Sequence, residues 1–200
     1  MADAGRVIAG TAKGTRLAAP GPGTRPFSDR VKQTLFAVLE PDLRDAAVLD
    51  LFAGSGAGGI EALSRGAARA VLVEHDGGAV RVIGENLRRT GLAARADVVR
   101  RDAVAWLADP AGAAAAGPFD VVLLDPPYAD AEVLAHALEL VGPSVAPGGI
   151  VVAKHFWRDA PPVRPGLLAS VRERRFGETA LTFYRRRDAA PTEHEEAGGT

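Results

Sequence analysis

Apolar runs bounded by turn residues alternate with amphipathic stretches through the middle of the chain, and this rhythm restricts the fold more than any other feature. Val48–Phe52, Ala70–Glu74, Asp97–Arg100, Asp120–Leu124 and Ile150–Ala153 read as buried strands. Gly58–Ser64, Val80–Arg89, Ala103–Ala108 and Ala131–Val141 lie between them and read as helices, with Val80, Ile83 and Leu87 on one helical face. Strand and helix alternating at these lengths predict an α/β fold, a mostly parallel sheet covered on both faces.

The ends break the rhythm. Arg6–Ala9 and Thr15–Ala18, separated by Lys13-Gly14, predict a small hairpin. Beyond Thr24-Arg25-Pro26-Phe27, a helix capped by Ser28 or Asp29 is expected, with Val31, Leu35, Val38 and Leu39 as its apolar face. Leu167–Arg175 and Thr179–Arg185, around Gly177, predict an antiparallel pair at a sheet edge. Ala111–Pro118 is expected to be a surface loop, and residues 188–200, without a large apolar side chain, a disordered tail. The expected division is an extension over residues 1–45, a main domain over 46–187 and the tail.

Composition excludes several chemistries. The chain has no cysteine, so disulfides, thiolate zinc sites, iron–sulfur clusters and thiolate attack on a pyrimidine ring are all ruled out. A metal site is not expected. Net charge is −1, so nucleic-acid binding would have to rest on a local patch. Residues 1–34 supply one: Arg6, Lys13, Arg16, Arg25, Arg30 and Lys32 outnumber Asp3 and Asp29, leaving the remainder acidic. The start has no signal-peptide core and no apolar stretch approaches the roughly 20 residues of a membrane span. A cytoplasmic location is expected.

The strongest local motif runs from Val48 through Asp50, Phe52, Ala53, Gly54, Ser55 and Gly56 to Gly59: a buried strand, a glycine-rich turn, then a helix. Such turns let a ligand approach backbone atoms closely. Gly54, Gly56 and Gly59 also fit the dinucleotide fingerprint, so the glycines alone do not choose a cofactor. Asp50 does: its carboxylate would repel a diphosphate but attract the ammonium and sulfonium of S-adenosylmethionine. Glu74 ends the next strand, where an acid can accept hydrogen bonds from both ribose hydroxyls. His75 and Asp76 follow it and can flank the ribose, although Asp76 is also a good helix cap. Asp102-Ala103 opens a helix where methyltransferase folds read adenine, and a plain N-cap explains that aspartate too.

Asp125-Pro126-Pro127-Tyr128 follows the fourth predicted strand at once. In a parallel sheet this tetrapeptide should face the same crevice as Asp50. An exocyclic amine on a base ring is a poor nucleophile because its lone pair is delocalised. Asp125 and the Pro126 carbonyl can accept its two N–H bonds and aim that lone pair at a methyl group. Consecutive prolines fix the backbone beforehand, and Tyr128 can stack on a flipped base. A rigid turn without catalytic duty would also use Pro-Pro.

These motifs, in this order and separation, resemble class I methyltransferases acting on amino nitrogens. The flanks narrow the likeness: Arg6-Val7-Ile8-Ala9-Gly10, Thr24-Arg25-Pro26, Ser28-Asp29-Arg30-Val31, Leu35-Phe36 and Ile60–Ala67 resemble the bacterial small-subunit ribosomal RNA guanine-N2 methyltransferases across residues 5–186. The resemblance implies a seven-stranded Rossmann-like sheet, S-adenosylmethionine as cofactor, and a guanine 2-amino target in 16S rRNA of the small subunit, taken by a monomer. It makes Asp125, Pro126, Pro127 and Tyr128 catalytic. It makes Asp50, Phe52, Ala53, Gly54, Ser55, Gly56, Glu74, His75, Asp76, Asp102, Ala103 and Asp125 cofactor contacts. Arg25 and Asp29 would lie near the active site, and Arg6, Lys13, Arg16 and Arg30 would face RNA. Phe27, in place of a small polar residue, and Lys154-His155 after the fifth strand depart from the family pattern.

Three other readings stay open. A DNA or protein-glutamine amino methyltransferase would use the same chemistry, a nicotinamide-dependent oxidoreductase would share the glycines, and a silent RNA-binding module would retain the fold. Trp106 and Trp157 are expected to pack in the core or at an edge, His136 to be structural, and Arg185-Arg186-Arg187 to be solvated.

Overall fold

The computed structural model describes residues 3–21, 29–127 and 130–187. Chain order is β1 (Asp3–Arg6), β2 (Arg16–Ala18), α1 (Asp29–Leu43), β3 (Ala47–Leu51), α2 (Ala57–Ser64), β4 (Arg69–Glu74), α3 (Gly77–Thr90) and β5 (Ala96–Arg100). There follow α4 (Ala103–Ala108), α5 (Ala113–Ala116), β6 (Phe119–Leu124), α6 (Ala131–Val141), β7 (Val145–Phe156), β8 (Leu168–Phe176) and β9 (Thr179–Arg186).

Seven strands form one sheet in the order β5-β4-β3-β6-β7-β9-β8. β5, β4, β3, β6 and β7 run parallel, while β9 is antiparallel to both β7 and β8. From β3 the chain winds outward to β5 and then crosses back to β6 on the other side of β3. That reversal falls at the carboxyl ends of β3 and β6, the position at which open α/β sheets collect ligands.

Both faces are buried, which is why the strands read as continuous apolar runs. Val48, Leu72, Leu123, Val152 and Phe183 join one cluster with Phe36, Leu39, Ile60 and Ile83, placing α1, α2 and α3 on that face. Leu49, Leu51, Val73, Val151 and Tyr184 join another with Trp106, Leu107 and Leu138, placing α4 and α6 opposite. Trp106 is thus core, as expected.

The first cluster also contains Ala4, Val7 and Leu17, so the N-terminal hairpin shares the core of the sheet. Its docking is polar as well as apolar. Glu61 of α2 accepts from the backbone N–H of Ile8 and Ala9, while Ser64 Oγ accepts from Ala12 N and donates to the carbonyl of Ala9. Arg185 of β9 clamps Asp42 of α1 with two hydrogen bonds of 2.8 and 3.0 Å.

Some boundaries move. The first hairpin strand is Asp3–Arg6 rather than Arg6–Ala9, because Gly10 to Gly14 form the turn. Ala111–Pro118 is not simply a surface loop: α5 lies within it and Ala113 is fully buried against Trp106 and Phe119 in the second cluster. β7 extends well beyond Ile150–Ala153 because its ends pair with β6 and β9 despite weak apolar patterning. Ser28, Phe27 and the tail beyond 187 lie outside the described residues, and α1 begins at Asp29.

Candidate active site

β3 delivers Asp50 to the reversal point, and the turn beyond it is sharply shaped. Phe52 has φ 60°, Gly54 56° and Gly56 77°. Left-handed backbone at a residue as bulky as Phe is strained, and such strain concentrates at functional sites. Gly54 opens on space: a Cβ built there would meet only the Phe52 carbonyl, 4.0 Å away. That is a cradle in which a ligand can lie against backbone. Ala53 and Ser55 complete the turn, and the Ser55 carbonyl accepts from Asn86 Nδ2.

Asp50 is more deeply set than a crevice-facing acid. It is 3% exposed and accepts from the Gly59 N–H at 2.7 Å. Only glycines fit above it: a Cβ at Gly58 would stand 2.9 Å from Leu123 Cδ1 and 3.0 Å from Asp50 Oδ2. Burial pushes the Asp50 carboxyl up to about 7, against the pull of the Gly59 N–H, and the charges of Asp125 and Glu74 push in the same direction as burial. The acid would therefore bind a cation with gain on both sides, since a positive charge nearby relieves its desolvation.

Glu74 ends β4 and holds the turn from the side. Its Oε2 accepts from Gly54 N at 2.9 Å, and its Oε1 accepts from Asp76 N at 2.9 Å. His75 Nδ1 stands 3.1 Å from Oε1, with its ring exposed. Asp76 caps α3 by accepting from Ala79 N, and Asp102 caps α4 by accepting from Ala105 N, with Ala103 buried behind it. Both capping roles weighed from sequence are present, and capping leaves Asp102 exposed at the rim.

On β6 the register sets Leu123 opposite Asp50 and Leu124 opposite Leu51. Asp125 lies two residues past Leu123 and so on the Asp50 face of the sheet. Its backbone N–H reaches the Leu51 carbonyl at 3.4 Å, and its Oδ1 accepts from Lys154 Nζ at 2.6 Å. Burial pushes the Asp125 carboxyl up, and the Lys154 ammonium pulls it back. Pro126 and Pro127 border a shallow cleft with Asp130, Leu134, Lys154 and His155. Tyr128 lies outside the described residues.

The expected RNA residues divide. Arg6 pairs with Asp29 at 3.1 Å and Arg16 with Asp3 at 2.6 Å, all well exposed, and Lys13 and Arg30 are exposed as well. Lys32, counted in the basic patch, is instead fully buried: it donates to the Arg6 carbonyl and faces Glu61 at 3.9 Å. Arg25 lies outside the described residues.

Two residues escaped sequence reasoning. Asn86, buried on α3, donates to the carbonyls of Ala18 and Ser55 and accepts from Ala18 N, tying the hairpin to the glycine-rich turn. Its place on the apolar face beside Ile83 and Leu87 was the available signal. Lys154 was noticed only as an irregular pair with His155. His155 is buried, with Nε2 2.9 Å from Thr182 Oγ1. Trp157 packs at the sheet edge under the guanidinium of Arg175, 3.5 Å from the ring centroid.

Comparison with known proteins places the chain and its fold. The family described as Conserved hypothetical protein 95 matches residues 5–185. Ribosomal RNA small subunit methyltransferase D of Escherichia coli is 36% identical over 90% of this chain and 89% of its own length. The solved structure of yhhF of Escherichia coli, a candidate methyltransferase, superimposes with a TM-score of 0.79, 35% identity, and coverage of 90% of this chain and 97% of that one. An RNA methyltransferase of Salinibacter ruber, solved with S-adenosyl-L-homocysteine, shares the fold with a TM-score of 0.63 at 19% identity, covering 86% of this chain and 100% of its own.

Proposed function

The chain belongs to the family described as Conserved hypothetical protein 95, and on that footing we propose that it transfers a methyl group from S-adenosylmethionine to the exocyclic N2 amine of a guanine in 16S rRNA. The sheet is that of a Rossmann-like class I methyltransferase, with its antiparallel strand inserted between β7 and β8. The observation that carries the reading is that Asp50 and Asp125 lie on one sheet face near the ends of adjacent strands, Asp50 in register with Leu123, two residues before Asp125.

The residues present fit the cofactor. Asp50 and Glu74 supply negative charge around a turn whose Gly54 leaves open ground. Phe52, Ala53, Ser55 and Gly56 shape that turn, His75 and Asp76 border the ribose side, and Asp102 and Ala103 the adenine side. The cofactor supplies an electrophilic methyl on a sulfonium, a leaving group that needs no acid. The protein's part is alignment, which can lower a barrier by roughly 7–11 kcal/mol when ideal. Asp125 and the Pro126 carbonyl accept the two N–H bonds of the amine, Pro127 stiffens the turn, and Tyr128 stacks on the base. As nitrogen gains the methyl it becomes cationic and sheds one proton, to Asp125 or water.

The N-terminal 1–45 segment carries Arg6, Lys13, Arg16, Arg25, Asp29 and Arg30 towards the RNA, and the enzyme works in the cytoplasm as a monomer on the small subunit or its assembly intermediate. The name of the Escherichia coli relative supports an rRNA substrate over DNA or protein. Mass spectrometry of 16S rRNA from cells lacking the protein should show one missing methylguanine. Labelled cofactor should mark small subunits from those cells and leave duplex DNA unmarked; label in DNA alone would overturn the substrate assignment.

A further inference from the structure

The fold gives Lys154 of β7 a specific neighbour. Leu124 of β6 pairs with Ala153 of β7, so Asp125, just past the end of β6, meets Lys154, the next residue along β7. Their hydrogen bond is 2.6 Å long, and the side chains are only 20% and 10% exposed. Covering a lysine and a carboxylate together is expensive in hydration, and an apolar residue of similar volume usually packs as well or better. Lys154 lies in register with Leu181 of β9, so packing alone does not explain an ammonium there.

We propose that Lys154 is a positioning residue for Asp125: it fixes Oδ1 and holds the carboxylate as an anion, so that Oδ2 is presented to the N–H of the amine being methylated. The proposal rests on the catalytic reading of Asp125. A carboxyl group in this position has reason to take up a proton, because burial disfavours its charge. Once protonated it would offer a donor to an amine that needs acceptors. Around the cleft, Asp130 and Asp159 are further acids and His155 is engaged with Thr182. Among the described residues Lys154 is the cation that counters burial at Asp125.

The test is the pH dependence of kcat/KM on small subunits for the wild type, K154M and K154R, with D125N in parallel and cofactor affinity measured by calorimetry. K154M should lose about tenfold more activity near pH 6 than near pH 9, each unit of displaced titration being a factor of ten. K154R should restore most of the wild-type profile, and cofactor affinity should change little. A K154M enzyme whose profile keeps the wild-type shape overturns the proposal alone. Full turnover in D125N brings down the catalytic reading of Asp125 and this proposal with it. If K154M does not fold, the wild type still decides: the carbon-13 carboxyl signal that D125N lacks should be that of an anion at neutral pH, and a protonated signal there overturns the proposal.

Discussion

Lys32 and Glu61 face each other at 3.9 Å with both side chains sealed from solvent. Glu61 also receives the Ile8 and Ala9 N–H groups and Arg65 Nε. Burial holds the Lys32 amine below its ordinary value, with Glu61 opposing. Replacing Glu61 by Ala would strand an ammonium and two backbone donors at once. Such losses run to about 3–5 kcal/mol. Urea unfolding of E61A should show a lower midpoint at unchanged slope; a loss below about 1 kcal/mol would mean the extension docks by its apolar contacts alone.

Asp50 makes stability depend on pH in the sense opposite to most carboxylates. Its folded value of about 7 stands above the ordinary 3.8, so the folded chain keeps a proton that the unfolded chain releases. The stability this contributes is complete below about pH 4 and is lost as pH rises through about 7. D50N should abolish the dependence, becoming more stable than wild type above neutrality by on the order of 1–4 kcal/mol. It should bind S-adenosylmethionine more weakly, most clearly in the same range, where the wild type carries its full charge. Unfolding curves for the two proteins that stay parallel from pH 5 to 8 would refute the linkage.

Two glycines of one motif should respond differently. An added methyl at Gly58 meets Leu123 and Asp50 at 2.9 and 3.0 Å, so G58A should destabilise by about 1–3 kcal/mol through overpacking. Gly54 has open space but φ 56°; G54V should lose roughly 1–3 kcal/mol to backbone strain and, beyond that, lose cofactor affinity at temperatures where it remains folded. Calorimetric titration with S-adenosylhomocysteine separates the two effects. Wild-type affinity in G54V would remove the turn from the cofactor site.

Arg16 is 78% exposed in its pair with Asp3, and an exposed pair contributes about 0–1 kcal/mol. R16A should therefore leave the melting temperature nearly unchanged. If the hairpin meets RNA phosphates, the same variant should flatten the slope of log affinity against log salt by about 0.7–0.9. A slope equal to that of the wild type would take Arg16 out of the RNA contact.

The parallel core was legible because strands buried on both faces need continuous apolar runs, and Val48–Phe52 and Ala70–Glu74 have them. The glycine-rich turn and Asp125 were legible because each follows such a run directly. What sequence concealed depends on partners distant in the chain. Lys32 looks like a surface cation until Glu61, from another helix, closes over it. Lys154 looks irregular until β6 brings Asp125 beside it. Asp50 is legible as an acid near the turn, yet its depth follows from Gly58 and Gly59 packing over it, which no local pattern announces. The ends of β7 and the helix at Ala113–Ala116 were missed because pairing and burial, not propensity, define them.

The apolar cluster that runs from Ala4 through Phe36 to Phe183 makes the molecule a fixed gauge. Arginines on the hairpin and the acid after β6 are spaced by packed side chains, so under the proposed function a phosphate held at one end would set which nucleotide reaches the other. Shifting the hairpin by even one residue would misplace the reach, and cutting it away would open the core itself.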